Sequence, residues 1–323
     1  MRIYLSSPHK FPGLRFGVAS SVVHDRLARG LAELGHDVRY HINNPETADL
    51  PSGIRAVTGV EGDEDILHIN HLSLTQVPNT TLPWVRSIHS DLPDQGYLRA
   101  QSKPNFIFVS RTIARLHGSD RFIHNGIDPA EFIYSETKNP YLLFIVSGGI
   151  HKARVHKGLD TAFWVAKETG YRLVVAGGDP HEMAEFGDLC RANSAKFIGP
   201  VYGVRKAEIF TAATALIFPT RINEAFGLPV AEALMSGTPV IASTNGAMPE
   251  IVHPTVGFVC SDKWDYLAAV DNIKNISPAD CRSFALERFH YLDMARGYVR
   301  EYQTEAAVEQ GRFAAAGGIT SLL

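Results

Sequence analysis

Residues 223–234 read Asn-Glu-Ala-Phe-Gly-Leu-Pro-Val-Ala-Glu-Ala-Leu, which sets Glu224 and Glu232 on either side of a Phe-Gly-Leu-Pro turn with seven residues between them. Pro229 suits a first helical turn because it has no N–H to leave unpaired, and Gly237 suits a left-handed helix end. The spacing predicts a helix from about Leu228 to Ser236. Amides around Phe226, Gly227 and Leu228 then point outward, and the positive end of the helix dipole favours an anion there. Carboxylates beside that anion would repel phosphate, so Glu224 and Glu232 suit hydroxyls instead. A ligand with phosphates in its middle and hydroxyl-rich groups at both ends is a nucleotide sugar.

Outward from this stretch, the chain alternates short apolar runs with helical spacing. Arg2–Leu5 reads as a strand, a glycine-containing loop follows, and Val18–Leu34 has helical periodicity before a second strand at Asp37–Ile42. This is a βαβ unit of a parallel sheet. Brief apolar runs at Asp65–Asn70, Pro83–Ile88 and Phe106–Val109 continue it as buried strands do. The polar stretch Ile133–Pro140 reads as a linker. A second alternation then runs through Tyr141–Val146, a helix at about Gly158–Thr169, Tyr171–Ala176, Lys196–Ile198, Ala215–Phe218 and Pro239–Ala242. The expected fold class is α/β with two doubly wound domains, at 1–133 and 141–280, and helices over 281–312 that return to the first.

The bulk numbers fit two domains of a soluble enzyme. The chain has 323 residues, 45% hydrophobic and 20% charged, with a net charge of -3. Basic residues are scattered among acids, so no nucleic-acid partner is expected. Three cysteines, Cys190, Cys260 and Cys281, are too few and too far apart for a disulfide framework or a zinc ribbon, and read as buried thiols. The N-terminal apolar run is too short for a signal peptide or a membrane span, so the expected location is cytoplasmic.

The Glu-x7-Glu stretch resembles the motif of glycosyltransferase family 4. Its neighbours Phe218-Pro-Thr220, Gly237–Ser243 and Met248-Pro-Glu-Ile-Val252 resemble the family's flanking segments, and Ile123-His-Asn-Gly-Ile-Asp128 resembles its Asn-Gly-Val/Ile-Asp segment. The resemblance covers nearly the whole chain. It implies the GT-B fold, with two Rossmann-like domains facing a central cleft. It also implies transfer of a sugar from a nucleotide diphosphate donor, a UDP-sugar first among the candidates, with retention of configuration and no further cofactor. The acceptor would be a small molecule, a glycan or a lipid-linked molecule; no polybasic amphipathic helix indicates association with a membrane surface.

Residue by residue, the resemblance places Glu224 at the sugar hydroxyls and Glu232 at the ribose. Breaking a sugar–phosphate bond without a metal requires fixed cations and amides around the departing diphosphate. Lys157, before Gly158 and after the Ser147-Gly-Gly149 loop, resembles the lysine of the family's Arg-then-Lys-Gly clamp. Its partner is Lys152 or Arg154, because the family's arginine lies five or six residues earlier, where this chain has Lys152 and His151. Gly17 matches one of two adjacent family glycines that bring backbone to the ligand. His89, in Ser87-Ile-His-Ser-Asp91, resembles the family's histidine facing the transferred sugar. Gly199-Pro-Val201 resembles the segment whose backbone meets the nucleobase, with Val201 as its contact. His68, His71 and His124 read as structural. Asp63-Glu-Asp65 is formally a metal motif of a different transferase fold but sits in an acidic loop, so no metal site is expected. The rival readings are a sugar-nucleotide epimerase or phosphorylase of the same fold, or a catalytically silent nucleotide-sugar-binding protein.

Overall fold

The computed structural model describes residues 1–6, 19–42, 50–70, 80–91 and 103–317. The chain forms two units, Met1–Gly126 with Tyr291–Leu323, and Ile127–His290.

In the first unit six short strands pair in parallel: β1 (Arg2–Ser6), β2 (Asp37–His41), β3 (Ile54–Val57), β4 (Ile66–Ile69), β5 (Trp84–Ile88) and β6 (Phe106–Phe108). Their order is β3-β2-β1-β4-β5-β6. The central strands are apolar runs because helices cover both faces, and every residue of β4 is buried. The Ala19–Glu33 helix buries Val23, Leu27 and Leu31, four residues apart, and Gly35 ends it at φ +83°. A second helix, Tyr291–Gly317, lies against it so closely that a Cβ on Gly30 would come within 2.8 Å of Ala295 Cβ. Tyr291 hydroxyl donates to the Glu33 carboxylate at 2.8 Å.

The second unit repeats the plan with β7 (Asn139–Ser147), β8 (Arg172–Gly178), β9 (Lys196–Gly199), β10 (Ala213–Phe218), β11 (Val240–Ser243) and β12 (Gly257–Cys260), in the order β12-β11-β10-β7-β8-β9. Renumbered from its own first strand, this is the order of the first sheet. Phe144, Val175 and Ile217 pack on one face with Phe163 and Val165 of the Leu159–Thr169 helix and Ala269 and Val270 of the Lys263–Asn272 helix. The helices Gly203–Ala212, Leu228–Met235 and Pro278–Phe289 form the other layer, burying Phe210, Leu234 and Phe289.

Two expectations need correction. The return to the first unit begins at Tyr291, not at residue 281. The Pro278–Phe289 helix stays with the second unit, where Arg282 donates to the Met235 carbonyl and the Cys281 thiol to that of Val256. The stretch read as a linker also belongs to the second unit. Lys138 Nζ donates to the Thr211 carbonyl at 2.8 Å and to the Thr238 hydroxyl at 3.0 Å. Desolvation there lowers the Lys138 ammonium to about 8.

Candidate active site

In the second sheet the order reverses between β7 and β10, which are paired neighbours. Their crossovers lead to opposite layers, and the gap beyond the carboxyl ends of such a strand pair is where doubly wound sheets bind ligands. The β7 crossover carries Lys152, Arg154 and Lys157, and the β10 crossover carries Glu224 and the Phe226-Gly227-Leu228 turn. Gly158, at φ +73°, makes the meeting of the two loops sterically feasible, since a Cβ there would come within 2.1 Å of the Pro219 carbonyl oxygen. The Arg221 amide donates to the His156 carbonyl at 2.8 Å and joins the loops a second time.

Lys157 Nζ and Glu224 Oε2 form an ion pair at this junction, each side chain 16% exposed, with the ammonium 5.6 Å from the centre of the Phe218 ring. Glu224 is fixed through its backbone. Its carbonyl accepts from the Ala247 amide at 2.8 Å, and Gly246, at φ +62°, passes so near that a Cβ would sit 2.3 Å from both Glu224 N and O. Behind this contact, Ser243 hydroxyl and Asn245 Nδ2 both donate to the Thr220 carbonyl, at 2.7 and 2.8 Å.

Gly227 starts the Leu228–Met235 helix in a left-handed conformation (φ +81°, ψ +64°), and no side chain caps it. Pro229 lies in the first turn as expected. Glu232, one turn further on, is buried, and Lys206 Nζ of the Gly203–Ala212 helix lies 2.6 Å from its Oε2. Lys206 was not among the residues singled out from the sequence.

The basic segment is not an extended loop. Residues 150–156 are helical, and Lys152–His156 form a π turn in which the Lys157 amide donates to the Lys152 carbonyl at 3.0 Å. Such turns are rare and recur at functional sites. The Ile150 amide donates to Glu182 Oε2 at 2.6 Å, pinning the start of the segment. Partial desolvation and the nearby Lys157 charge lower the Lys152 pKa, while Glu224 raises it. Lys152 thus feels both members of the ion pair. Arg154 turns away, with Nε 2.9 and 3.2 Å from the two carboxylate oxygens of exposed Asp160.

Val201 is buried just past β9, where Gly199 at φ +70° turns the chain toward the helix carrying Lys206. Gly17 and His71 lie outside the described residues.

His89 follows β5 in the first unit. Burial, reinforced by His24, pushes its imidazole down to about 3, and its Nε2 has no hydrogen-bond partner among the described residues. The His24 and His89 rings are 5.1 Å apart. His68 is fully buried, 2.7 Å from both Tyr302 hydroxyl and Ser87 Oγ, in keeping with a structural role. The acidic loop before β4 faces arginines. Asp63 pairs with Arg2 and Arg39, Asp65 with Arg2, and Glu61 with Arg55. Glu61, Asp63 and Glu64 bring carboxylate oxygens within 4.8 Å of one another, and Arg39 sits among them.

Residues 131–278 match the family model for glycosyl transferases group 1. The match falls within the second unit. The chain is 27% identical over 191 residues to the O-antigen chain mannosyltransferase RfbU of Salmonella typhimurium, covering 54% of this chain and 51% of RfbU. It is 28% identical over 313 residues to a phosphatidyl-myo-inositol mannosyltransferase of Mycolicibacterium smegmatis, covering 78% of each. The chain thus spans about half the length of RfbU and more of the mycobacterial relative.

Among solved structures, AviGT4, a glycosyltransferase involved in avilamycin A biosynthesis, aligns with a TM-score of 0.73 at 23% identity, over 95% of this chain and 98% of its own. Anabaena HepE in complex with UDP-glucose aligns at 0.68 and 14% identity, over 94% and 100%. The fold is of the GT-B type, and the residues matched by the family model contain both crossovers that form the ion-paired junction. No helix among the described residues is long and apolar enough to cross a membrane.

Proposed function

We propose that this protein is a glycosyltransferase of the family 4 type. It moves a sugar from a nucleotide diphosphate sugar, a UDP-sugar first among candidates, to a small-molecule, glycan or lipid-linked acceptor, with retention of configuration and no metal ion. The observation that carries the reading is the Lys157–Glu224 pair at the switch point of the second sheet, beside an uncapped helix start.

A diphosphate seated at the first turn of the Leu228–Met235 helix meets outward amides and the positive end of the dipole. Lys157 moves its ammonium from Glu224 to the phosphate oxygens as leaving-group charge develops, and Lys152 supplies a second cation. Fixed donors aimed at developing charge account for large parts of enzymatic rate enhancements. Glu224, released from Lys157, accepts hydroxyls of the transferred sugar, and Glu232 those of the ribose. His89 keeps the sugar-facing role that the family resemblance implies for it, with an imidazole that desolvation holds neutral. Arginine pairing of Asp63 and Asp65 supports metal independence. The mannosyltransferase names of two relatives and the UDP-glucose complex of HepE support the substrate class.

Thermal stabilisation by a panel of UDP, GDP, ADP and dTDP sugars identifies the donor, because a ligand that binds only the folded state raises its apparent stability. Product analysis with that donor should then show transfer that persists in excess chelator. Transfer that stops in chelator and returns with magnesium or manganese would overturn the metal-free part, and stabilisation by none of the panel would overturn the reading.

A further inference from the structure

Glu232 is a carboxylate with 2% of its side chain exposed, on the helix that starts the phosphate site. An ionised carboxylate so buried needs a partner charge, since desolvation of an unpaired ion costs several kcal/mol. Lys206 provides one at 2.6 Å and keeps 27% of its own side chain exposed. Its ammonium also lies 5.8 Å from the centre of the buried Phe210 ring, one helical turn on, which adds a second attraction to hold it in place. Its helix begins directly after Gly199-Pro-Val201.

Other charges near this helix are committed elsewhere. Arg282 donates to the Met235 carbonyl, Lys138 to the Thr211 and Ser236 carbonyls, and Lys157 pairs with Glu224. Arg205 and Glu208, on the Lys206 helix, are exposed.

We propose that Lys206 is a positioning residue for the ribose end of the donor, aiming the Glu232 carboxylate at the 2′,3′-diol. The assignment rests on the donor-site reading above. The half-buried Lys206 side chain holds its ammonium against the buried carboxylate, so a diol that reaches Glu232 shares it with Lys206. A carboxylate offers about four acceptor sites, so the contact on Oε2 does not exhaust it. An ammonium fixed against Phe210 restrains one oxygen and with it the carboxylate plane, so less ordering is left for the ligand to bring about. A buried ion pair is by itself weak evidence of a contribution to stability. Its position beside the first turn of the phosphate-site helix gives this pair a further use.

The test is titration calorimetry with UDP or GDP, whichever the unsubstituted protein binds, against the 2′,3′-dideoxy counterpart. Lys206→Met should weaken the ribonucleotide about ten-fold and leave the dideoxy nucleotide unchanged, the loss expected from a misdirected hydrogen bond to a charged group. Glu232→Gln should remove the same preference for the diol, and the double variant should lose little more than either single one. Lys206→Arg should restore most of the preference. If Lys206→Met does not fold, Lys206→Gln carries the test, with the same expected loss of diol preference of about ten-fold. Equal weakening of both nucleotides, or of neither, overturns the assignment. If the unsubstituted protein binds neither UDP nor GDP, the donor-site reading falls first and this assignment falls with it.

Discussion

Lys157 and Arg154 lie three residues apart and have opposite surroundings. Lys157 faces Glu224 at a partly buried junction, whereas Arg154 spends its guanidinium on Asp160 at a surface where such pairs are worth little. Lys157→Ala should therefore slow single-turnover transfer by about a hundred-fold or more, the usual loss for a preorganised donor to developing charge. Lys152→Ala should fall in the same class, because its ammonium already responds to Lys157 and Glu224. Arg154→Ala should behave nearly as the unsubstituted protein. A large loss at Arg154 with none at Lys152 would exchange their roles. The two glutamates divide similarly: Glu224→Ala should lower turnover more than nucleotide affinity, and Glu232→Ala should lower affinity first. Equal losses of affinity for the free nucleoside diphosphate would refute that division.

At the scale of elements, the Glu224 loop is held by what passes behind it. A methyl group at Gly246 would sit 2.3 Å from Glu224 N and O at a backbone angle of φ +62°, so Gly246→Ala must push the loop away. Misplacing a reacting group by about 1 Å can cost about a hundred-fold in rate. Gly246→Ala should lose at least about ten-fold in turnover while nucleotide affinity changes little. Unchanged turnover in a folded variant would show that Glu224 does not depend on this contact.

Elements with strong local signals were legible in the sequence: the Leu228–Met235 helix from its Pro and Gly ends, and the central strands from their apolar runs. The edge strands β3 and β12 were not. In β3 Arg55 is exposed and Ala56 half-buried, leaving two anchors, and in β12 Gly257 leads a four-residue run. The π turn has no residue signature, since it reflects how 150–157 must span from β7 to Gly158. Nothing in the sequence singles out Lys206. Only packing of its helix against the next reveals its partner, although Lys206 and Phe210 do lie four apart on one face.

For the whole molecule, acidity should act first through desolvated imidazoles. Burial holds His68 well below the ordinary range and His89 at about 3, so both stay neutral in the folded protein as pH drops through 6 and 5. Once unfolded they take up protons near their ordinary pKa of about 6.5. Across that window the unfolded chain binds more protons, so stability is complete above about pH 6.5 and falls as pH decreases toward the folded-state values. Each histidine therefore adds a loss of stability that grows as pH falls below about 6.5. Lowered carboxylates such as Asp63, held down by Arg39, add their losses only at more acid pH. The urea midpoint should thus be nearly level from pH 8 to 7 and drop between pH 6.5 and 5. His89→Gln should make that drop smaller, with His68 and His36, which are also held below their ordinary pKa, accounting for what remains, because glutamine has no proton to take up on unfolding. A His89→Gln variant whose midpoint falls as steeply as that of the unsubstituted protein would show that His89 is charged in the fold, and would remove the uncharged imidazole assigned to the sugar site.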